Sequence, residues 1–145
     1  MQCSPMAFGA AYFSPILAIM PGDKENVGPH ILVVDDDEGV REAMVNVLEV
    51  MGYSVVSATN GKEALDYLHD AATPALIISD LAMPVMDGRQ FRQEQVKDPR
   101  LAKVPVIVVS ALSDQTDIDA NEIFIKPVDV DLFLTAVDRY CRGSR

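Results

Sequence analysis

The chain has little cysteine. Cys3 and Cys141 are the only two. They form neither a metal-binding spacing nor a disulfide framework, so a reducing compartment is the simplest context. Basic residues are also scarce: 12 Lys and Arg stand against 22 Asp and Glu, for a formal net charge of −10. That balance argues against binding nucleic acid through a basic surface, because phosphate contacts need clustered Lys and Arg. It suits a partner with a basic face, or a bound cation. No apolar run approaches the roughly 18 residues of a membrane span, so no membrane association is expected. Histidine occurs twice. His69 falls late in a helical pattern and reads as a surface residue, and neither it nor His30 reads as catalytic.

What is present is enough for one domain. The chain has 145 residues, of which 49% are hydrophobic, enough to build a core. Residues 6–20 (MAFGAAYFSPILAIM) have the length of a signal-peptide core, but no Lys or Arg precedes them and Pro15 interrupts them. They read as a disordered leader, and 21–29 (PGDKENVGP) as a linker. From His30 onward, short apolar runs alternate with helical patterns. Strands are expected at 31–34, 53–58, 75–79, 104–109 and 122–125. A helix is expected from about Glu38 to Met51, with Val40, Met44, Val47, Leu48 and Met51 on one face. Asp37 is its N-cap and Gly52 its stop. A second helix starts after Asn60 and carries Ala64, Leu65 and Leu68; Pro74 ends that pattern. A short polar helix is expected near 89–97. A last one, about 129–141, turns Leu132, Phe133, Ala136, Val137 and Tyr140 inward. The alternation predicts an α/β domain with a parallel sheet and right-handed crossovers, and the continuous apolar strands agree with a sheet covered on both faces.

In such a sheet the strands' carboxyl ends gather at one edge, where open α/β folds place their sites. The first strand ends in Asp35, Asp36 and Asp37, the third in Asp80, the fourth in Ser110 and the fifth in Lys126. Singly each has an ordinary explanation: a helix cap for Asp37, a turn for Asp80, a loop residue for Ser110, an exposed cation for Lys126. Together, on one edge, they make a chemical set. Clustered carboxylates repel unless a cation sits among them. A hard dication takes oxygen ligands, bridges phosphoryl oxygens and neutralises charge during transfer. An Asp carboxylate can be the nucleophile. Lys and Ser can engage phosphoryl oxygens, one by charge and one by hydrogen bonding.

Four stretches carry a resemblance: ILVVDDDEGVRE (31–42), IISDLAMPVMDG (77–88), VIVVSA (106–111) and IKP (125–127). They are similar to the receiver domain of two-component response regulators, over about residues 30–141. The spacing matches that pattern, with 44 residues from Asp36 to Asp80 and 30 from Asp80 to Ser110. The resemblance implies a flavodoxin-like doubly wound sheet of five parallel strands in the order 2-1-3-4-5, occupying residues 30–145. It implies that Asp80 is the phosphoacceptor, and that Asp35, Asp36, Asp80 and the backbone carbonyl of Ala82 hold Mg²⁺ or Mn²⁺. Ser110 and Lys126 would contact the phosphoryl group; Met83, Pro84 and Gly88 would shape the adjacent loop; Pro127 would follow a cis bond. The chain would be a phosphoacceptor rather than an enzyme. It would be cytoplasmic, served by a histidine kinase or a histidine phosphotransfer protein. With no effector domain following, output would pass to a downstream protein partner, with no direct contact to nucleic acid. Ala82 and Leu112 would flank the phosphoryl group, and neither side chain can hydrogen-bond an attacking water, so self-dephosphorylation is expected to be slow.

Two features depart from that pattern. Residues 111–121 must supply both a helix of roughly 10–14 residues and two loops, which they cannot, so the fourth helix is expected to be shortened or missing. At the aromatic switch position, three residues before the Lys, stands Ile123, with Phe124 beside it. Adjacent strand residues face opposite ways, so Phe124 reads as core. Two competing readings are a haloacid-dehalogenase-type phosphatase, with Asp35 as nucleophile and Asp37 as acid/base, and a receiver-like interaction module that does not switch.

Overall fold

The structure, a computed structural model, describes residues 30–111 and 118–143. Its elements are β1 (His30–Val34), α1 (Glu38–Val50), β2 (Ser54–Ala58), α2 (Gly61–Asp70), β3 (Leu76–Asp80), α3 (Gly88–Lys97), α4 (Pro99–Ala102), β4 (Val106–Ser110), β5 (Glu122–Ile125) and α5 (Val130–Gly143). The strands form one parallel sheet in the order β2-β1-β3-β4-β5, the flavodoxin-like arrangement expected. The leader and linker, 1–29, lie outside the described residues, as does most of the connection from β4 to β5 in which a shortened helix was expected. Among the described residues, no helix is long and apolar enough to cross a membrane.

The period of two along each strand sorts the core into two layers. Ile31, Val33, Leu76, Ile78, Ile107 and Val109 meet Leu48 of α1 and Phe133, Ala136 and Val137 of α5. Leu32, Val34, Ile77, Val106 and Val108 meet Ala64 and Leu68 of α2, Phe91 of α3 and Leu101 of α4. Both sheet faces are thus covered, which is why β1, β3 and β4 are apolar without alternation.

Local signals set the boundaries. Asp37 and Asn60 cap α1 and α2 by accepting the Val40 and Glu63 N–H groups. Asp87 opens α3 with a reciprocal capping box to Gln90. Gly52 takes a left-handed φ of 98° after α1, a conformation glycine adopts freely. Two expectations need correction. Leu132 is 61% exposed; the inward arc of α5 runs through Phe133, Ala136 and Val137, with Leu134 against the core instead. Met51 stands at the cap of α1 and is exposed, and Val45 joins Met44 and Val47 against the core. At the ends of the helical patterns a shift of one residue moves a side chain about 100° round the axis, enough to leave the core.

Candidate functional site

All five strands run the same way, so their carboxyl ends share one rim. β3 and β4 each extend one residue further than the strands expected at 75–79 and 104–109: Asp80 and Ser110 are the last residues of those strands. Asp35 follows β1, held by its own N–H to Ala58 O, and Lys126 follows β5, its N–H donating to Ser110 O. Register therefore carries the four positions to one place, with Asp80 opposite Val109 and Ser110 opposite Ile125.

Asp35 and Asp80 are buried and Asp36 is exposed, and one carboxylate oxygen from each of the three lies within 4.8 Å of the others. Lys126 Nζ reaches between the buried pair, 3.6 Å from Asp35 Oδ2 and 3.7 Å from Asp80 Oδ2. Asp80 Oδ1 accepts the Leu81 N–H at 2.7 Å, and Asp35 Oδ1 accepts the Asp37 N–H at 2.9 Å. Asp35 Oδ2 is buried with no hydrogen-bond partner among the described residues. Burial, and then the neighbouring Asp35 charge, push the Asp80 carboxyl above the ordinary carboxylate range, against the opposing pull of the Leu81 N–H and Lys126. Burial likewise raises Asp35, opposed by the Asp37 N–H and by Lys126. One ammonium thus does not offset the cost of confining these carboxylates.

That imbalance is what a dication would remove. The donors are all hard oxygens, and one buried oxygen is orphaned, a set that fits Mg²⁺ or Mn²⁺ and not a soft metal. The loop after β3 lies beside the cluster. Leu81 and Met83 are buried, while Ala82 and Pro84 are exposed. Gly88 N–H donates to Leu81 O at 2.8 Å, and a Cβ at Gly88 would stand 2.5 Å from Asp80 O, so only glycine lets the loop close there. Ser110 is buried and its hydroxyl donates to Ala111 O. The Lys126–Pro127 bond is cis. Ile123, opposite Val108, lies on Ser110's side of the sheet. Phe124 turns to the other side and meets Phe133 edge-to-face at 5.8 Å. Leu112 lies outside the described residues.

Three participants escaped the sequence reading. Arg41 Nη1 donates to Asp35 O at 2.8 Å, bracing the acidic loop from α1. Val85 has φ 70°. Gly61 of α2 touches the loop after β3. The last joins residues distant in sequence, the first reaches back six residues from α1 to the end of β1, and a valine gives no signal of left-handed backbone.

Fold and rim together define a class: a doubly wound α/β domain with an acidic, cation-seeking cluster at the carboxyl edge of its sheet. The chain belongs to the response regulator receiver domain family, whose family model matches residues 31–138. It is 37% identical over 103 residues to the "Probable transcriptional regulator ycf27" of Porphyridium aerugineum, a match covering 67% of this chain and 41% of that protein. The chain thus spans well under half the length of that curated relative. Among solved structures, the signal receiver domain of a signal transduction histidine kinase from Syntrophus aciditrophicus superposes with a TM-score of 0.74 at 32% identity, covering 80% of this chain and 92% of that one. The response regulator TrrA of Thermotoga maritima, solved in complex with Mg²⁺-BeF, gives a TM-score of 0.68 at 29% identity, covering 77% and 98%.

Proposed function

We propose that this domain accepts a phosphoryl group on Asp80 from a histidine kinase or a histidine phosphotransfer protein, with Mg²⁺ or Mn²⁺ required. Phosphorylation then changes its binding to a downstream protein. The observation that carries the reading is the meeting of the buried Asp80 carboxylate with Asp35, Asp36 and Lys126 at one rim. The reading makes the chain a cytoplasmic phosphoacceptor that catalyses at most its own phosphorylation and dephosphorylation.

A carboxylate oxygen of Asp80 attacks phosphorus, the phosphorus–nitrogen bond of the phosphohistidine breaks, and the imidazole leaves with the bonding pair and takes up a proton. Asp35, Asp36, Asp80 and the Ala82 carbonyl would hold the dication, which when bound neutralises charge on the phosphoryl oxygens. Lys126, already between the two buried carboxylates, contacts one phosphoryl oxygen by charge. Ser110 leaves the Ala111 carbonyl and donates to another. With Phe124 committed to Phe133, no aromatic of β5 follows that hydroxyl, so the switch runs through Ser110, Lys126 and the segment after β4. No observation favours the phosphatase reading.

The test is incubation with acetyl phosphate, with and without Mg²⁺, for wild type and Asp80→Asn. An acid-labile phosphoryl adduct on wild type that needs Mg²⁺ and is lost in Asp80→Asn is expected. An adduct mapped to Asp35 would instead favour the phosphatase. The adduct is expected to outlast minutes, because Ala82 offers an attacking water no hydrogen bond; decay within seconds would refute that part.

A further inference from the structure

The loop from Leu81 to Asp87, which the proposed function asks to present the Ala82 carbonyl, is held in an uncommon shape. At its far end Gly88 closes it onto Leu81 O. In its middle Val85, a β-branched residue, is forced to φ 70°, and Met86 N–H returns to Pro84 O at 2.7 Å. Left-handed backbone at such a residue persists only where its surroundings over-determine it.

The surroundings include a residue from another layer of the chain. Gly61, the first residue of α2, donates its N–H to Met86 O at 3.0 Å. A Cβ on Gly61 would lie 2.9 Å from both Met86 O and Met86 Cγ, and 3.0 Å from Phe91 Cβ of α3. Two of those atoms cannot swing away as a flexible side-chain end could, since one is backbone and the other is rooted in a fully buried Phe91. Glycine is needed there for close approach. The helix end that carries it is itself fixed: Asn60 Oδ1 accepts the Glu63 N–H, and Glu63 accepts from the Thr59 hydroxyl.

We infer that Gly61 is a positioning residue for the phosphoacceptor loop, and that its clamp on Met86 sets the affinity of the acidic rim for a divalent cation. The inference rests on the proposed function in taking the rim and this loop as the cation's seat. An added methyl at Gly61 pushes Met86 outward, and the push travels along a short loop pinned at Gly88 toward Ala82 and Asp80.

The test uses the full chain, with calorimetric Mg²⁺ titration, thermal unfolding without cation, and acetyl phosphate labelling at several Mg²⁺ concentrations. Gly61→Ala is expected to weaken Mg²⁺ binding by about tenfold or more, the usual scale for lost support around a metal site. Its labelling rate falls at low Mg²⁺ and recovers at high Mg²⁺. Gln95→Ala removes buried bonds at the other end of the sheet, away from the loop, so it lowers the melting midpoint and leaves Mg²⁺ affinity unchanged. Mg²⁺ binding by Gly61→Ala equal to wild type overturns the inference, as does equal weakening in Gln95→Ala. Should Gly61→Ala fail to fold, Val85→Gly frees the same loop with no added atom. Weaker Mg²⁺ binding without a lower melting midpoint then supports the clamp, and unchanged binding overturns it. Wild type that binds Mg²⁺ yet takes no phosphoryl group defeats the proposed function alone, leaving the clamp to stand or fall on cation affinity; wild type that binds no Mg²⁺ defeats both.

Discussion

At the amino end of the sheet, His30 lies buried at the start of β1 with Nε2 3.0 Å from the Tyr67 hydroxyl. Close to the start of β4, the fully buried Gln95 donates to Leu101 O and Val104 O and accepts from Arg92 Nη1. At the carboxyl end of the same sheet, two buried carboxylates share one ammonium and one oxygen is left orphaned. Both ends bury polar groups. The amino end pairs His30 and Gln95, as stability requires, and there only Arg92 Nε lacks a partner among the described residues. The carboxyl end leaves a deficit of positive charge that nothing among the described residues fills. The contrast teaches where to look for chemistry: at the place where a fold keeps a cost it could have avoided.

That contrast can be broken from either end. The largest effect is expected at the amino end, where Gln95→Ala removes a buried donor from Leu101 O and Val104 O, the first of which keeps the Val104 N–H, and opens a gap. We expect a loss of about 3 kcal/mol in urea unfolding, with labelling of Asp80 intact in the folded fraction. At the carboxyl end, Lys126→Met removes the one ammonium that, among the described residues, lies between Asp35 and Asp80. Without divalent cation the variant is expected to be about 2 kcal/mol less stable, a value reduced because Lys126 is partly solvated, and Mg²⁺ should recover most of the loss. Asp80→Asn acts in the opposite direction. Since burial and the neighbouring Asp35 charge raise the Asp80 pKa, removing its charge should stabilise the cation-free protein, read by the same unfolding curves.

The smallest effect is a pH dependence of opposite sign at the two ends. Burial lowers the His30 pKa, so the unfolded chain takes up a proton that the folded one refuses. Stability is lost there as pH falls through about 6.5. Asp80 and Asp35 are raised, so the folded protein binds protons first. Cation-free stability is gained there as pH falls from neutral toward the ordinary carboxylate value near 4. Unfolding midpoints followed against pH should show His30→Gln removing the loss and Mg²⁺ removing the gain.

Much of this was legible in the sequence, for identifiable reasons. The runs ILVV, ALIIS and VPVIVV announced strands covered on both faces, and a parallel sheet forces whatever follows each strand to one rim, so the sequence alone gathers Asp35, Asp80, Ser110 and Lys126 there. The caps at Asp37 and Asn60 were legible because capping is local chemistry. What was not legible is tertiary. The short helix Pro99–Ala102 carries no periodic signal in four residues, and its fixture is the buried Gln95 side chain of the preceding helix. Leu132 looked inward because a helix start cannot be phased from its own composition. Gly61 looked like an ordinary first helical residue, and its use emerges only when Met86 and Phe91 are packed against it.

The central claim is that the carboxyl rim is completed by a divalent cation, and urea unfolding with and without Mg²⁺ tests it most directly. The account predicts that saturating Mg²⁺ stabilises wild type by about 1–3 kcal/mol through preferential binding to the folded state, and that Asp80→Asn loses most of that gain. Unfolding curves of wild type that coincide in Mg²⁺ and in chelator would contradict it.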